Sequence, residues 1–183
     1  MANAQNVAWD MRNAEIVEAA NSTIIINGYR ADCCGNYFYG GNNDYNIVRF
    51  TKSASGPGFW QVTGDNSFKE LSFGANGRIT GSNTIGDLSL SAGYSYTFTQ
   101  GETQIINSLL GTGNCNNQLT LKSDSNLNQT YLSVSTGTIN LDFTTLTNVT
   151  AQGGATFNAT NAIDQGGNTG WNISNWTPSN KTL

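Results

Sequence analysis

Glu70 and Asp87 are the side chains in this sequence with the plainest capacity for chemistry. They hold the same place in two copies of one repeated segment, VTGDNSFKELSF (62–73) and ITGSNTIGDLSL (79–90). If the copies stack as neighbouring strands, the two carboxylates lie about 5 Å apart. A pair at that spacing suits Ca2+ binding, or acid and base work on a substrate. No third carboxylate and no patterned base joins them. The chain has no histidine, which removes the commonest general base and the commonest metal ligand. Its three cysteines, Cys33, Cys34 and Cys115, fall short of a zinc site. An odd count leaves at least one thiol unpaired or pairing between chains. A vicinal Cys33–Cys34 disulfide, a bond from either to Cys115, and free loop thiols all stay open. Mixed Ser, Thr, Asp, Glu and Gln is what any wetted strand face shows. The expectation is therefore no catalytic residue and no cofactor, with Ca2+ on Glu70 and Asp87 as the one candidate metal.

Contact chemistry is the other candidate. Tyr37, Tyr39, Phe59 and Trp60 crowd a short stretch of the chain. Exposed rings of this kind stack on the flat C–H faces of sugars. Packing against the outside of the fold is the competing use for the same rings.

Elements must hold these groups, and the repeat says which. A third copy, YGGNNDYNIVRF (39–50), aligns with the other two. The shared pattern is G-x-N-x-[YFI]-x-x-[VL]-x-[FL]. Apolar and polar residues alternate with a period near two and favour β-branched and aromatic types, so these are strands. Weaker echoes place further marker positions at 24, 119 and 141, giving intervals of 17 to 31 residues. Repeats of this length signal a solenoid. The fold expected is all-β: a right-handed parallel β-helix, with an antiparallel β-sandwich as the alternative. Leu71 and Phe73 would stack on Leu88 and Leu90. Asn43, Asn66 and Asn83 would sit at corners, where a side-chain amide bonds backbone of the next coil. The outward columns would read Arg49, Ser72, Ser89, Thr120, Asp142 and Ile47, Glu70, Asp87, Gln118, Asn140.

The bulk numbers agree with a structural domain. Residues 1–171 form one domain, with 1–20 as an N-terminal cap or first coil and 138–171 as the last coil and C-terminal cap. Residues 172–183 read as a linker or tail. Charged residues make up only 11% of the 183, and the net charge is −4 with no basic cluster. That argues against nucleic acid, which needs Lys and Arg gathered on one face. No apolar run is long enough for a membrane helix. The start lacks a basic segment followed by an apolar block. With an Asn, Thr and Gly-rich, Lys-poor composition, the chain reads as a piece of a longer secreted or cell-surface protein.

One segment carries a family resemblance. Residues 138–171 read TINLDFTTLTNVTAQGGATFNATNAIDQGGNTGW. Ala151, Gly153, Gly154, Ala155, Phe157 and Ala159 match an A-x-GGA-x-F-x-A stretch. Asp164, Gly166, Asn168, Thr169, Gly170 and Trp171 match a D-x-G-x-NTGW closure, with one extra glycine. This resembles a segment of the large β-helical, adhesin-like surface proteins of Bacteroidota, often exported by the type IX route. The resemblance implies location and architecture more than activity. Trp171 is expected to cover the end of the core, since a solenoid must cap its last coil. Function is then expected to be non-catalytic: a stiff spacer, or a unit meeting glycans or another surface protein. A carbohydrate-binding or carbohydrate-active module and a self-associating filament subunit are the rival readings.

Overall fold

The computed structural model describes residues 6–14, 19–27, 36–51 and 58–176. In chain order its strands are β1 (Asn6–Asp10), β2 (Ala19–Ile26), β3 (Asn36–Tyr39), β4 (Asp44–Phe50), β5 (Trp60–Thr63), β6 (Ser67–Phe73), β7 (Gly77–Ile79), β8 (Thr84–Leu90), β9 (Ser95–Phe98), β10 (Thr103–Leu110), β11 (Leu119–Ser123), β12 (Thr130–Val134), β13 (Thr138–Asp142), β14 (Thr144–Thr147), β15 (Val149–Gly153), β16 (Thr156–Asp164) and β17 (Trp171–Asn175). One sheet runs β2, β4, β6, β8, β10, β12, β15. The other runs β1, β3, β5, β7, β9, β11, β14, β16, with β13 and β17 both paired to β16. The chain steps from one sheet to the other and back on each coil. The result is a β-solenoid of about six turns. Every pairing between named strands is parallel, which excludes the antiparallel sandwich. Among the described residues no helix is long and apolar enough to cross a membrane.

The core lies between the two sheets. Val48, Leu71 and Leu88 are direct partners on successive coils, as are Phe50, Phe73 and Leu90, and all are buried. The facing sheet contributes Phe38, Val62, Ile79 and Phe98 in one column and Trp60, Gly77, Tyr96 and Leu121 in the next. Phe50 stacks on both Trp60 and Phe73, with ring centroids 5.1 and 4.9 Å apart. Gly77 makes room for these rings. A Cβ there would meet Tyr96 at 2.9 Å and Phe73 at 3.0 Å. Tyr96 keeps its one polar atom satisfied inside: its hydroxyl accepts from the Ser91 amide at 2.9 Å and lies 3.1 Å from the Ser91 carbonyl.

The alternation breaks once on each strand of the repeat. Phe68 and Leu71 both face inward, so Lys69 and Glu70 are both outside and β6 bends between them. At this bend the coils approach closely. A Cβ on Gly86 would stand 2.4 Å from the Lys69 carbonyl oxygen. Gly86→Ala is therefore expected to cost about 1–3 kcal/mol, the range for forcing extra volume into a filled site. A urea unfolding curve checks this, and an unchanged midpoint would mean the bend yields freely.

The corners before β4, β6 and β8 form an amide ladder. The side-chain amides of Asn43, Asn66 and Asn83 donate back to their own corner carbonyls, for example Asn43 to Gly40 at 2.8 Å and Asn66 to Gly64 at 3.0 Å. The oxygens of Asn66 and Asn83 serve the coil before. Asn66 Oδ1 accepts from the Asn42 amide at 3.1 Å, and Asn83 Oδ1 from the Asn66 amide at 2.9 Å. Gln104, fully buried, is the fourth member: it accepts from Asn83 Nδ2 at 3.1 Å and donates to the Gly81 carbonyl at 2.7 Å. Positive φ at these corners belongs to Gly41, Gly64 and Gly81 and to Asn42, not to the ladder asparagines. The glycines make the turn, and the asparagines satisfy its stranded backbone.

Several expectations need correction. Leu109, not Leu119, partners Leu88 on the next coil, and Ser108 and Leu110 partner Asp87 and Ser89. Leu119 lies in the other sheet opposite Thr144, and Leu141 lies opposite Ala159. The outward columns therefore do not continue through Thr120 and Asp142, or through Gln118 and Asn140. Of the cap or first coil expected at the N-terminus, the described residues show a coil strand: β1 pairs with β3. The tail does not begin at 172, because β17 runs on to Asn175 beside β16. Exposed asparagines bind this edge, with Asn172 donating to Asn158 at 3.0 Å and Asn158 to Asn140 at 2.8 Å. Trp171 is half-buried at this end. Its ring meets Phe157 edge-on at 5.1 Å and its indole N–H donates to the Val149 carbonyl at 3.1 Å. Cys115 is an exposed free thiol. Cys33, Cys34 and residues 177–183 lie outside the described residues.

Candidate functional site

Glu70 and Asp87 are direct partners on adjacent coils. Glu70, however, is committed to Arg49, which grips its two oxygens at 2.7 and 3.0 Å. Arg49 sits diagonally across from Glu70, beside Ser72. A guanidinium in that place repels a cation and leaves Asp87 as the one carboxylate of the two that it does not engage. Ca2+ needs six to eight oxygens, and no group of three or more His, Cys, Asp or Glu is placed to hold a metal among the described residues. The residues do not fit the Ca2+ site.

The hydrogen bonds from Arg49 hold the Glu70 carboxyl below its ordinary range. A lowered folded-state value means the pair stabilises the fold above the ordinary carboxylate range, and the gain is lost as pH falls through the shifted value. The Arg49 side chain is 41% exposed, so solvent screens the pair. Glu70→Gln is expected to cost under about 1 kcal/mol at neutral pH. Urea titrations at neutral and acidic pH should show the difference from the parent closing on acidification. A gap that persists in acid would show that packing, not charge, carries the effect.

The expected sugar-contacting rings divide. Trp60 has no exposed surface and Tyr39 only 8%. Both are corrected from contact residues to buried ones. Trp60 and Val62 share the inward side of β5. Tyr39 faces outward but is covered: Arg12 lies 3.8 Å above its ring and Tyr37 stacks on it at 5.5 Å. Arg12 also bonds Asp10, and that hydrogen bonding lowers the Asp10 carboxyl to about 2. Tyr37 and Phe59 keep part of their surface.

What the coils do assemble is an outer face that the sequence did not mark. On the sheet holding β5, β7, β9 and β11, the outward column is Gln61, Arg78, Thr97 and Lys122. Phe59, Asn76 and Ser95 flank it. Phe59, Asn76, Arg78, Ser95, Thr97 and Lys122 line one shallow groove of about 240 Å3. The only signal available in the sequence was the outward position of each residue on its own strand. A second groove, near the corner after β9, is lined by Leu127, Tyr131 and the amides of Gln100, Asn128, Gln129 and Asn148. Those amides are occupied within the wall. Gln129 donates to the Gly167 carbonyl at 2.7 Å, Asn128 to Gln100 at 2.6 Å and Asn148 to the Ser125 carbonyl at 3.0 Å. Beside these geometries, the chain matches no family model, no curated protein and no solved structure.

Proposed function

We propose that this chain is a non-catalytic, stiff spacer and contact module of a larger secreted or cell-surface protein of adhesin type. The observation that supports it is the amide ladder Asn43, Asn66, Asn83, Gln104 running along the stack, its last three members buried. Backbone hydrogen bonds already join each coil to the next. The ladder adds side-chain bonds between coils, so that removing one coil strands polar groups on its neighbour. Cohesion along the axis is what a spacer needs. Six rungs at the spacing of paired strands span about 30 Å. The low charge content and the segment resembling Bacteroidota surface proteins support the secreted setting. Glycans or another surface protein are the partners that the flanks would meet.

Force spectroscopy of the intact chain, pulled between its termini, tests the spacer reading. One cooperative unfolding event is expected. Coil-by-coil peeling at low force would sink it.

A further inference from the structure

We propose that the groove over β5, β7, β9 and β11 binds a carboxylate-bearing saccharide, one uronate unit at a time. This deepens the glycan-contact half of the proposed function and rests on it, whereas the pulling experiment tests the spacer half alone.

The charge arrangement selects the class. Arg78 and Lys122 lie two rungs apart, with Thr97 between them. Their backbones are therefore about 10 Å apart. Two long side chains at that spacing converge on one anion above Thr97. Among the described residues Asp124 is the one acid in contact with the pair, 2.9 Å from Arg78 Nη2. Lys122 is exposed and carries the surplus positive charge, in a chain whose net charge is −4. A neutral glycan leaves that charge unused.

The rest of the groove suits the body of a sugar. Phe59 supplies a partly exposed ring on one wall, and Ser95 and Thr97 supply hydroxyls, while the Asn76 amide is held within the wall, donating to the Gly58 carbonyl at 3.3 Å and accepting from the Ser95 backbone N–H at 2.9 Å. Two polar atoms among the lining residues, Arg78 Nε and Ser95 Oγ, are buried without a hydrogen-bond partner. Such orphans are few in native proteins, and each calls for a partner. The volume, about 240 Å3, matches a single ring and not a long bound stretch of polymer.

Isothermal titration of the intact chain tests the assignment. The probes are a galacturonate trimer, a neutral galactose trimer and sodium acetate. Saturable binding of the galacturonate trimer is expected, weakened by added salt. Lys122→Glu should weaken it about tenfold or more, through lost attraction and new repulsion. Phe59→Ala should weaken it too. Lys122 is exposed, so circular dichroism should show its variant folded. Equal affinity for the neutral trimer overturns the charge selection. Acetate binding as tightly as the galacturonate trimer overturns the saccharide. No saturable heat from a folded sample, or an unaltered affinity in Lys122→Glu, overturns the site.

Discussion

Trp60→Ala is expected to lower the unfolding free energy by about 3–5 kcal/mol, the range for removing a buried aromatic. Trp60 has no exposed surface and stacks against Phe50 at 5.1 Å. Its partner on the next coil is Gly77, which has no side chain to close the gap. Tyr96, beyond Gly77, is tied by its hydroxyl to the backbone of Ser91 and cannot slide in. The site therefore collapses poorly, and the cost falls at the upper end of the range. The check is a urea titration followed by circular dichroism. A loss under about 1 kcal/mol, as for a surface position, would show that Trp60 lies outside the core after all. Phe59→Ala, next along the chain but on the outer side, should by contrast leave the midpoint nearly unmoved.

Asn66→Ala is the second large effect, expected at about 3 kcal/mol. The side chain is 97% buried, since its exposure is 3%. Its Oδ1 accepts from Asn42 at 3.1 Å, and its Nδ2 donates to Gly64 at 3.0 Å and to Asn83 at 3.3 Å. Truncation strands these groups, and each unsatisfied buried donor or acceptor costs about 1–3 kcal/mol. Asn116→Ala, at an exposed position, should stay within about 0.5 kcal/mol. Asn66→Asp separates hydrogen bonding from shape. It keeps the volume, loses the donor, and turns a carboxylate toward the Gly64 carbonyl. Its stability should recover in part as acid protonates it. If Asn66→Ala proves as mild as Asn116→Ala, the ladder contributes nothing to stability.

Much of this architecture was legible before any coordinate. The spacing G-x-N-x-[YFI]-x-x-[VL]-x-[FL] names the inward residues of β4, β6 and β8, and the Leu71–Leu88 and Phe73–Leu90 partners follow from a gapless alignment. The corner asparagines were legible because Gly two residues earlier marks the turn. Gln104 was missed because its corner departs from that spacing, Gly101 standing three residues before it instead of two. The longer Gln side chain still reaches Asn83, and only packing shows it. Leu119 was assigned to the wrong sheet for a simpler reason. Strands of both sheets alternate apolar and polar with the same period, so Leu-x-Leu identifies a strand without saying which sheet it joins. Trp60 was misread beside Phe59, although Trp60 and Val62 are two apart and share one side of β5.

By itself the sequence determined the class of fold, the strands of the repeat, their inward faces and the turns between them, because each depends on residues a few positions apart. Tertiary structure alone decided which strand lies on which, and so every contact between coils. The grip of Arg49 on Glu70, the burial of Trp60 over Gly77, and the placing of Arg78 and Lys122 on either side of Thr97 join residues 17 to 44 positions apart. Those neighbours are set by the length of each intervening turn and by how the whole core fills. Neither is written in any short stretch of the chain.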